Sequence, residues 1–388
     1  MHPESYVRDA ALRRIESGLD AGQFRIIEPA GRIYDFAGRR PGPAATMVIH
    51  DWRLLRAILR KGDIGLGESY MAGWWDSPDL VALNTLLVKN AGNLGKLSWG
   101  SPLFQILAMT RDRFFRRNSV SGSRRNILAH YDLGNEFYQL WLDPGMSYSS
   151  ALYQPHVSDL ASAQKAKYTR ILDRIGARSR DVLEVGCGWG AFIETAVERD
   201  VRVTGLTISD QQFQIAKTRT AGISEVHLQD YRKANGKFDA VVSIEMFEAV
   251  GERCWPDYFS ALAARLKPKG VAMIQTIAIA DELFPAYRVT SDYIRHHVFP
   301  GGMLPSVERF KQEAKKQGLQ CRDVYPFGMD YARTLVDWLA RFDRAEQKIR
   351  SLGHADSFIR GWRFYLALSA GAFLAERTNV HQIELVAA

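Results

Sequence analysis

The chain has 388 residues, 46% of them hydrophobic and 24% charged, with a formal net charge of +8. This balance fits a soluble enzyme of two domains, long enough for more than one hydrophobic core, and the positive charge favours an anionic partner such as lipid headgroups or nucleic acid. Three cysteines, Cys187, Cys254 and Cys321, make neither a disulfide framework nor a metal cluster and suit a reduced cytoplasm.

In chain order, residues 1–110 read as a smaller N-terminal domain carrying Trp74 and Trp75. Residues 111–125 read as a basic linker: Arg111, Arg113, Arg116 and Arg117 flank Phe114 and Phe115, and the polar run Ser119-Val-Ser-Gly-Ser123 follows. Two readings stay open for this cluster, cations on phosphates with the rings in a lipid interface, or a helix burying both Phe. Residues 126–388 read as the larger domain. There, Val182 to Gly190 runs a buried strand straight into three glycines, with a helix starting near Ala191. Four more strand signals follow at Val201–Leu206, Val226–Leu228, Phe238–Ile244 and Val271–Thr276, separated by helical stretches. The alternation predicts an α/β fold, a parallel Rossmann-like sheet flanked by helices, with ligands beyond the carboxyl ends of the strands. Those ends carry Thr207, Ser209, Gln211, Gln229, Asp230, Glu245 and Glu248. Leu352 to Arg377 reads as a buried helix, because its apolar part, Phe364–Ala375, falls short of the roughly 20 residues that span a membrane. No apolar signal-peptide region opens the chain. The protein is therefore expected in the cytoplasm, peripheral to the inner face of the membrane.

The turn Glu184-x-Gly186-Cys187-Gly188-x-Gly190 resembles motif I of S-adenosylmethionine (SAM) methyltransferases, in which Glu184 would face the amino acid end of the cofactor. Beyond it the chain resembles the cyclopropane fatty acid synthase family, including the mycolic acid cyclopropane synthases, over nearly its full length. The resemblance rests on Gly65–Trp75, His130–Asn135, Leu142–Ser150, the glycine turn, Gly205–Ser209, Leu228–Arg232, Met246–Glu248 and Phe299–Ser306.

That resemblance implies methylation of a lipid double bond by SAM, through a carbocation held among aromatic faces. The implied partners are phospholipid acyl chains at an anionic membrane surface, engaged by the N-terminal domain; no nucleic acid is expected, and a homo-oligomer is left open. Tyr148, Ser149, Glu184, Gly186, Cys187, Gly188, Thr207, Ser209, Gln211, Gln229, Asp230, Tyr231 and Glu245 are expected at the cofactor, with Asp230 and Tyr231 flanking the adenine. Tyr331 matches the family's active-site tyrosine, and Phe247, Tyr293, Phe299 and Trp338 are looser candidates for the wall of the acyl slot. Family members hold bicarbonate as the base through five positions, which here are Ser150, Glu248, Gln275, Ile277 and Tyr331. Ser150 stands in place of a cysteine and Gln275 in place of a histidine, while Ala249 replaces a further histidine. These exchanges remove donors for the anion and put bicarbonate in doubt. With that site altered, the expected product is a methyl-branched chain that keeps a double bond, with Glu248 as base or as the group orienting Gln275. A cyclopropane ring made with bicarbonate is the alternative, and methylation of a non-lipid substrate such as nucleic acid is the second.

Overall fold

The computed structural model describes residues 3–106, 110, 133–176, 178–221 and 224–387, so the basic cluster at 111–117 and the segment from His130 to Asp132 lie outside the described residues. Contacts divide the chain into two units: residues 1–114 with 289–298 and 335–377, and residues 115–288 with 299–334 and 378–388.

The first unit holds a four-stranded sheet of β1 (Ala21–Ile27), β2 (Ile33–Ala37), β3 (Arg40–Ile49) and β4 (Trp75–Asp76), in the order β2-β1-β3-β4 with β1 and β3 parallel. Trp75 is a core residue, its indole N–H donating to Ser69 Oγ at 3.0 Å, whereas Trp74 lies partly exposed under the Arg53 guanidinium at 4.7 Å. The apolar segment near the C-terminus forms a helix, Asp356–Leu374, with Phe364, Leu366 and Ala370 fully buried. Sequence order assigned this helix to the larger domain, but its packing returns it to the first unit. At Gly371 it approaches so closely that a Cβ would sit 2.7 Å from the Thr85 backbone nitrogen, and Arg360 donates to the Trp75 carbonyl at 2.8 Å. No helix among the described residues is long and apolar enough to cross a membrane.

The second unit is built on a seven-stranded sheet of β5 (Asp181–Val185), β6 (Arg202–Thr207), β7 (Glu225–Leu228), β8 (Phe238–Ile244), β9 (Leu266–Ile279), β10 (Leu319–Pro326) and β11 (Thr378–Ala387), in the order β10-β11-β9-β8-β5-β6-β7. The five strands anticipated from the sequence are mutually parallel, β7 to β9 across the sheet. The sheet as a whole is mixed, because β11 inserts antiparallel between β9 and β10. Alternation along the strands feeds two cores, Val182, Ala240 and Val242 on one face and Leu183 and Val241 on the other, as a sheet covered on both sides requires. β11 alternates too, but one of its faces is Gln382 and Glu384, both buried. That polar face meets the helix Leu160–Ile175, where Arg170 donates to Gln382 at 2.6 Å and Arg174 to Glu384 at 2.8 Å.

Candidate active site

β5 ends in Glu184 and Val185, and the chain then turns sharply beneath β6: the Gly186 and Cys187 amides donate to the Leu206 carbonyl at 3.0 and 2.9 Å. The turn needs glycine at three points, since Gly186, Gly188 and Gly190 have φ of 83°, 52° and 90°. A Cβ at Gly188 would meet nothing within 4 Å, which leaves main chain open for a ligand to lie against. Glu184 is buried, and its Oε2 has no hydrogen-bond partner among the described residues. Burial pushes its carboxyl up to about 8 even though Lys167 pulls the other way. An orphaned acidic oxygen on the strand that feeds an open glycine turn fits the ammonium end of SAM.

The other expected cofactor residues occupy the neighbouring strand ends, mostly as builders of the turns there. Thr207 donates to Gln212 at 2.9 Å and accepts from the Ser209 amide, and Ser209 caps the helix Asp210–Arg219. Asn135, part of the resemblance but given no site role from sequence, accepts from the Trp189 indole at 2.8 Å and donates to the Gln211 side chain at 3.1 Å, so it joins the glycine turn to the β6 end. Gln229 donates to the Lys233 carbonyl at 2.6 Å, Asp230 is held by Arg232 at 2.6 and 2.8 Å, and Tyr231 packs edge-on against Tyr258. Tyr148 joins an aromatic group with Tyr138, Trp141 and Phe299, and Tyr138 in turn meets Trp189, with ring centroids 5.3–6.3 Å apart. Phe299 thus has a place beside the site. Phe247 does not, being fully buried among Trp255, Tyr258, Phe259 and Phe310. Tyr293 and Trp338 belong to the first unit, where Tyr293 packs on Phe364.

The candidate catalytic residues converge on a different glutamate from the one expected. The Glu245 carboxylate accepts from the Ser150 amide and from Gln275 Nε2 through Oε1, both at 2.8 Å, and from the Tyr331 hydroxyl through Oε2 at 2.6 Å. Glu248 instead binds the C-terminal part of β9, its Oε1 accepting from the Ile277 amide at 2.5 Å and from the Thr276 hydroxyl at 3.0 Å. Glu248 therefore holds Ile277, and the orientation of Gln275 belongs to Glu245. The Ser150 hydroxyl is turned away, donating to the Ala151 carbonyl at 2.9 Å. Burial raises both carboxyls above the ordinary range, and the charge of Glu245 raises Glu248 further. Lys167, also unforeseen, is fully buried: its ammonium contacts Ser149 Oγ, and burial brings it down to about 8 against the attraction of Glu245, Asp143 and Glu184. Its sequence signal was its position on the buried stripe of its helix, in register with Leu160, Ala163, Gln164 and Ile171. Of the donors matched to the family's bicarbonate site, the Ser150 amide, Gln275 and Tyr331 are thus engaged by Glu245 and the Ile277 amide by Glu248, and the residues present do not fit a bound anion at that point.

The family profile described as mycolic acid cyclopropane synthetase matches residues 118–383. The chain is 36% identical to the tuberculostearic acid methyltransferase UfaA1 of Mycobacterium tuberculosis, over 86% of this chain and 81% of that protein. It is 35% identical to the cyclopropane-fatty-acyl-phospholipid synthase of Escherichia coli (strain K12), over 84% of each. Among solved structures, mycolic acid cyclopropane synthase CmaA1 complexed with SAH and CTAB superposes with a TM-score of 0.64 at 30% identity, covering 68% of this chain and 98% of that one. The mostly parallel sheet and its glycine turn define a SAM-dependent methyltransferase. More particularly, the chain belongs to the cyclopropane-fatty-acyl-phospholipid and mycolic acid cyclopropane synthase family.

Proposed function

We propose that the protein methylates a double bond in the unsaturated fatty acyl chains of membrane phospholipids and releases a methyl-branched chain that keeps a double bond. The turn Gly186–Gly190 and Glu184 would hold SAM, with Thr207, Gln211, Asp230 and Tyr231 toward its ribose and adenine. When bound, SAM supplies a methyl group on a positively charged sulfur, the electrophile that an isolated alkene needs. The partly exposed rings of Tyr148 and Phe299, backed by the buried Tyr138 and Trp141, offer faces that stabilise a carbocation without trapping it, and the group excludes water that would. The net charge of +8 suits approach to an anionic membrane surface.

The observation that carries the branched product is the occupied anion position. Ring closure needs a base lodged against the newly added methyl, and the donors that would hold a small anion are taken by Glu245. A carboxylate tethered to the end of β8 serves the acyl carbon beside the cation instead. Fatty acids from cells expressing the chain test this by mass spectrometry before and after mild hydrogenation. A product larger by one CH2 that then takes up hydrogen supports the branched alkene. A product of the same mass that resists hydrogenation is the ring and overturns it, and unaltered lipids with methylated nucleic acid would overturn the substrate class.

A further inference from the structure

We propose that Glu245 is the proton acceptor of the reaction, a carboxylate built into the chain at the place where a bound anion would otherwise sit, so that turnover needs no bicarbonate. The proposal rests on the lipid-methylating reading above and deepens it.

Glu248 also has an oxygen, Oε2, without a partner among the described residues, but it meets neither Ser150, Gln275 nor Tyr331, and three features of the geometry point to Glu245. Glu245 has a φ of 49°, a left-handed backbone that a residue with a long side chain adopts only when its surroundings impose it, and such strain gathers at working sites. Its backbone is fixed there by its own amide, which donates to the Gln275 carbonyl at 2.8 Å. Its carboxylate is unequally satisfied. Oε1 takes two hydrogen bonds, from Ser150 and Gln275, and Oε2 takes one, from Tyr331, which leaves a lone pair on Oε2.

The orientation of the donors follows from one residue that can only donate. Arg170 Nη1 donates to Gln382 Oε1 at 2.6 Å, so the Gln382 amide nitrogen points inward and donates to Gln275 Oε1 at 3.1 Å. Gln275 must then present its own nitrogen to Glu245, at 2.8 Å. Arg170, Gln382 and Gln275 form a polarised line of donors ending on the carboxylate, and the first two are positioning residues.

The step balances without a further reactant. Once the acyl chain carries the cation, a C–H bond on the adjacent methylene breaks, its electron pair becomes the new double bond, and the proton forms an O–H bond at Glu245 Oε2. The groups that face this carboxyl set its affinity for the proton. Burial raises it, while Lys167, Tyr331, Gln275 and Ser150 favour the charged form, and Glu248 lies close enough to be raised by its charge. Lys167 is shared with Asp143 and Glu184.

The test uses the full chain with SAM and vesicles of dioleoyl phosphatidylglycerol and phosphatidylcholine, in buffer stripped of carbon dioxide or supplied with bicarbonate. Wild-type turnover is expected to be the same in both. Glu245→Gln should lose about 10²- to 10⁴-fold in kcat, the range for removing a general base, and added anions should not restore it. Glu245→Gly suits the left-handed backbone and vacates the donors. It should regain turnover with formate or bicarbonate, and those anions should raise its melting temperature but not that of the wild type. A wild type that slows when bicarbonate is removed overturns the proposal even if neither variant folds, as does Glu245→Gln at the wild-type rate. A bicarbonate-independent wild type that makes a ring supports Glu245 as the base and overturns only the branched product.

Discussion

The two ends of the site are made of different materials. The proposed cofactor end is main chain: three glycines with positive φ at a single turn between a strand and a helix, pinned where the Gly186 and Cys187 amides donate to the Leu206 carbonyl. The proposed proton-accepting end is side chain: Glu245 from the end of β8, Ser150 from a loop, Gln275 from β9 and Tyr331 from the helix Gly328–Arg344. A backbone site tolerates changes that leave its glycines alone and can serve any SAM chemistry. A side-chain site can be rebuilt by exchanging a few residues, and the proposed reaction places the choice of base and product there.

The largest effect should come from the backbone end. Gly188→Val places a β-branched side chain at a φ of 52° and in the open space above the turn. SAM binding by calorimetry should weaken by about 100-fold or more, given the strain and lost approach of the main chain. Unchanged affinity in a folded variant would break the distinction between the two ends. At the side-chain end, Tyr331→Phe should leave SAM affinity intact and lower kcat by roughly tenfold, the scale of one lost charge-assisted hydrogen bond. The acidic limb of its pH–rate profile should move to higher pH, because a donor to the charged carboxylate is gone. Gln382→Leu should move the same limb in the same direction by less, since it frees Gln275 to turn without removing it. A uniform loss at all pH values would mark Gln382 as merely structural.

Glu184 gives the cofactor end a pH signature of its own. Its carboxyl stands at about 8 in the fold against an ordinary value near 4.5, so the folded protein holds a proton that the unfolded chain gives up. That contribution to stability is fully present below about 4.5 and is lost as pH rises toward 8, and denaturant titrations without SAM should show it. Binding of the SAM ammonium should lower the carboxyl and release the proton near neutral pH, seen as a dependence of binding enthalpy on the ionisation heat of the buffer. The smallest effect concerns the surface: binding to anionic vesicles should weaken as salt rises, because exposed charges are screened over about 8 Å at physiological ionic strength. Equal binding to neutral vesicles, insensitive to salt, would favour a soluble substrate.

The same contrast explains what could be read before the fold was known. A turn written in consecutive residues, Glu184 to Gly190, is legible because its chemistry is local, and the five parallel strands are legible from their apolar runs. Ser150, Gln275 and Tyr331 were recognised by resemblance, but nothing local distinguishes Glu245 from Glu248, three residues apart. Only the sheet decides which carboxylate meets Gln275 and which meets the Ile277 amide. β11 escaped notice because Gln382 and Glu384 give it a polar face that reads as exposed and is in fact buried. Lys167 sits on the apolar stripe of its helix, where a cation is noticed only if the stripe is traced residue by residue. The first unit's return to residues 335–377 has no local mark, since it follows from close packing at Gly371.

What fills the space between Ser150, Gln275 and Tyr331 decides between a built-in and a bound base. A crystal structure of the SAH complex grown in bicarbonate near pH 8 tests it most directly. Glu245 is expected in contact with the Ser150 amide, Gln275 Nε2 and the Tyr331 hydroxyl, with no separate anion among them. Density for bicarbonate on those three donors, with the Glu245 side chain turned away, would contradict it.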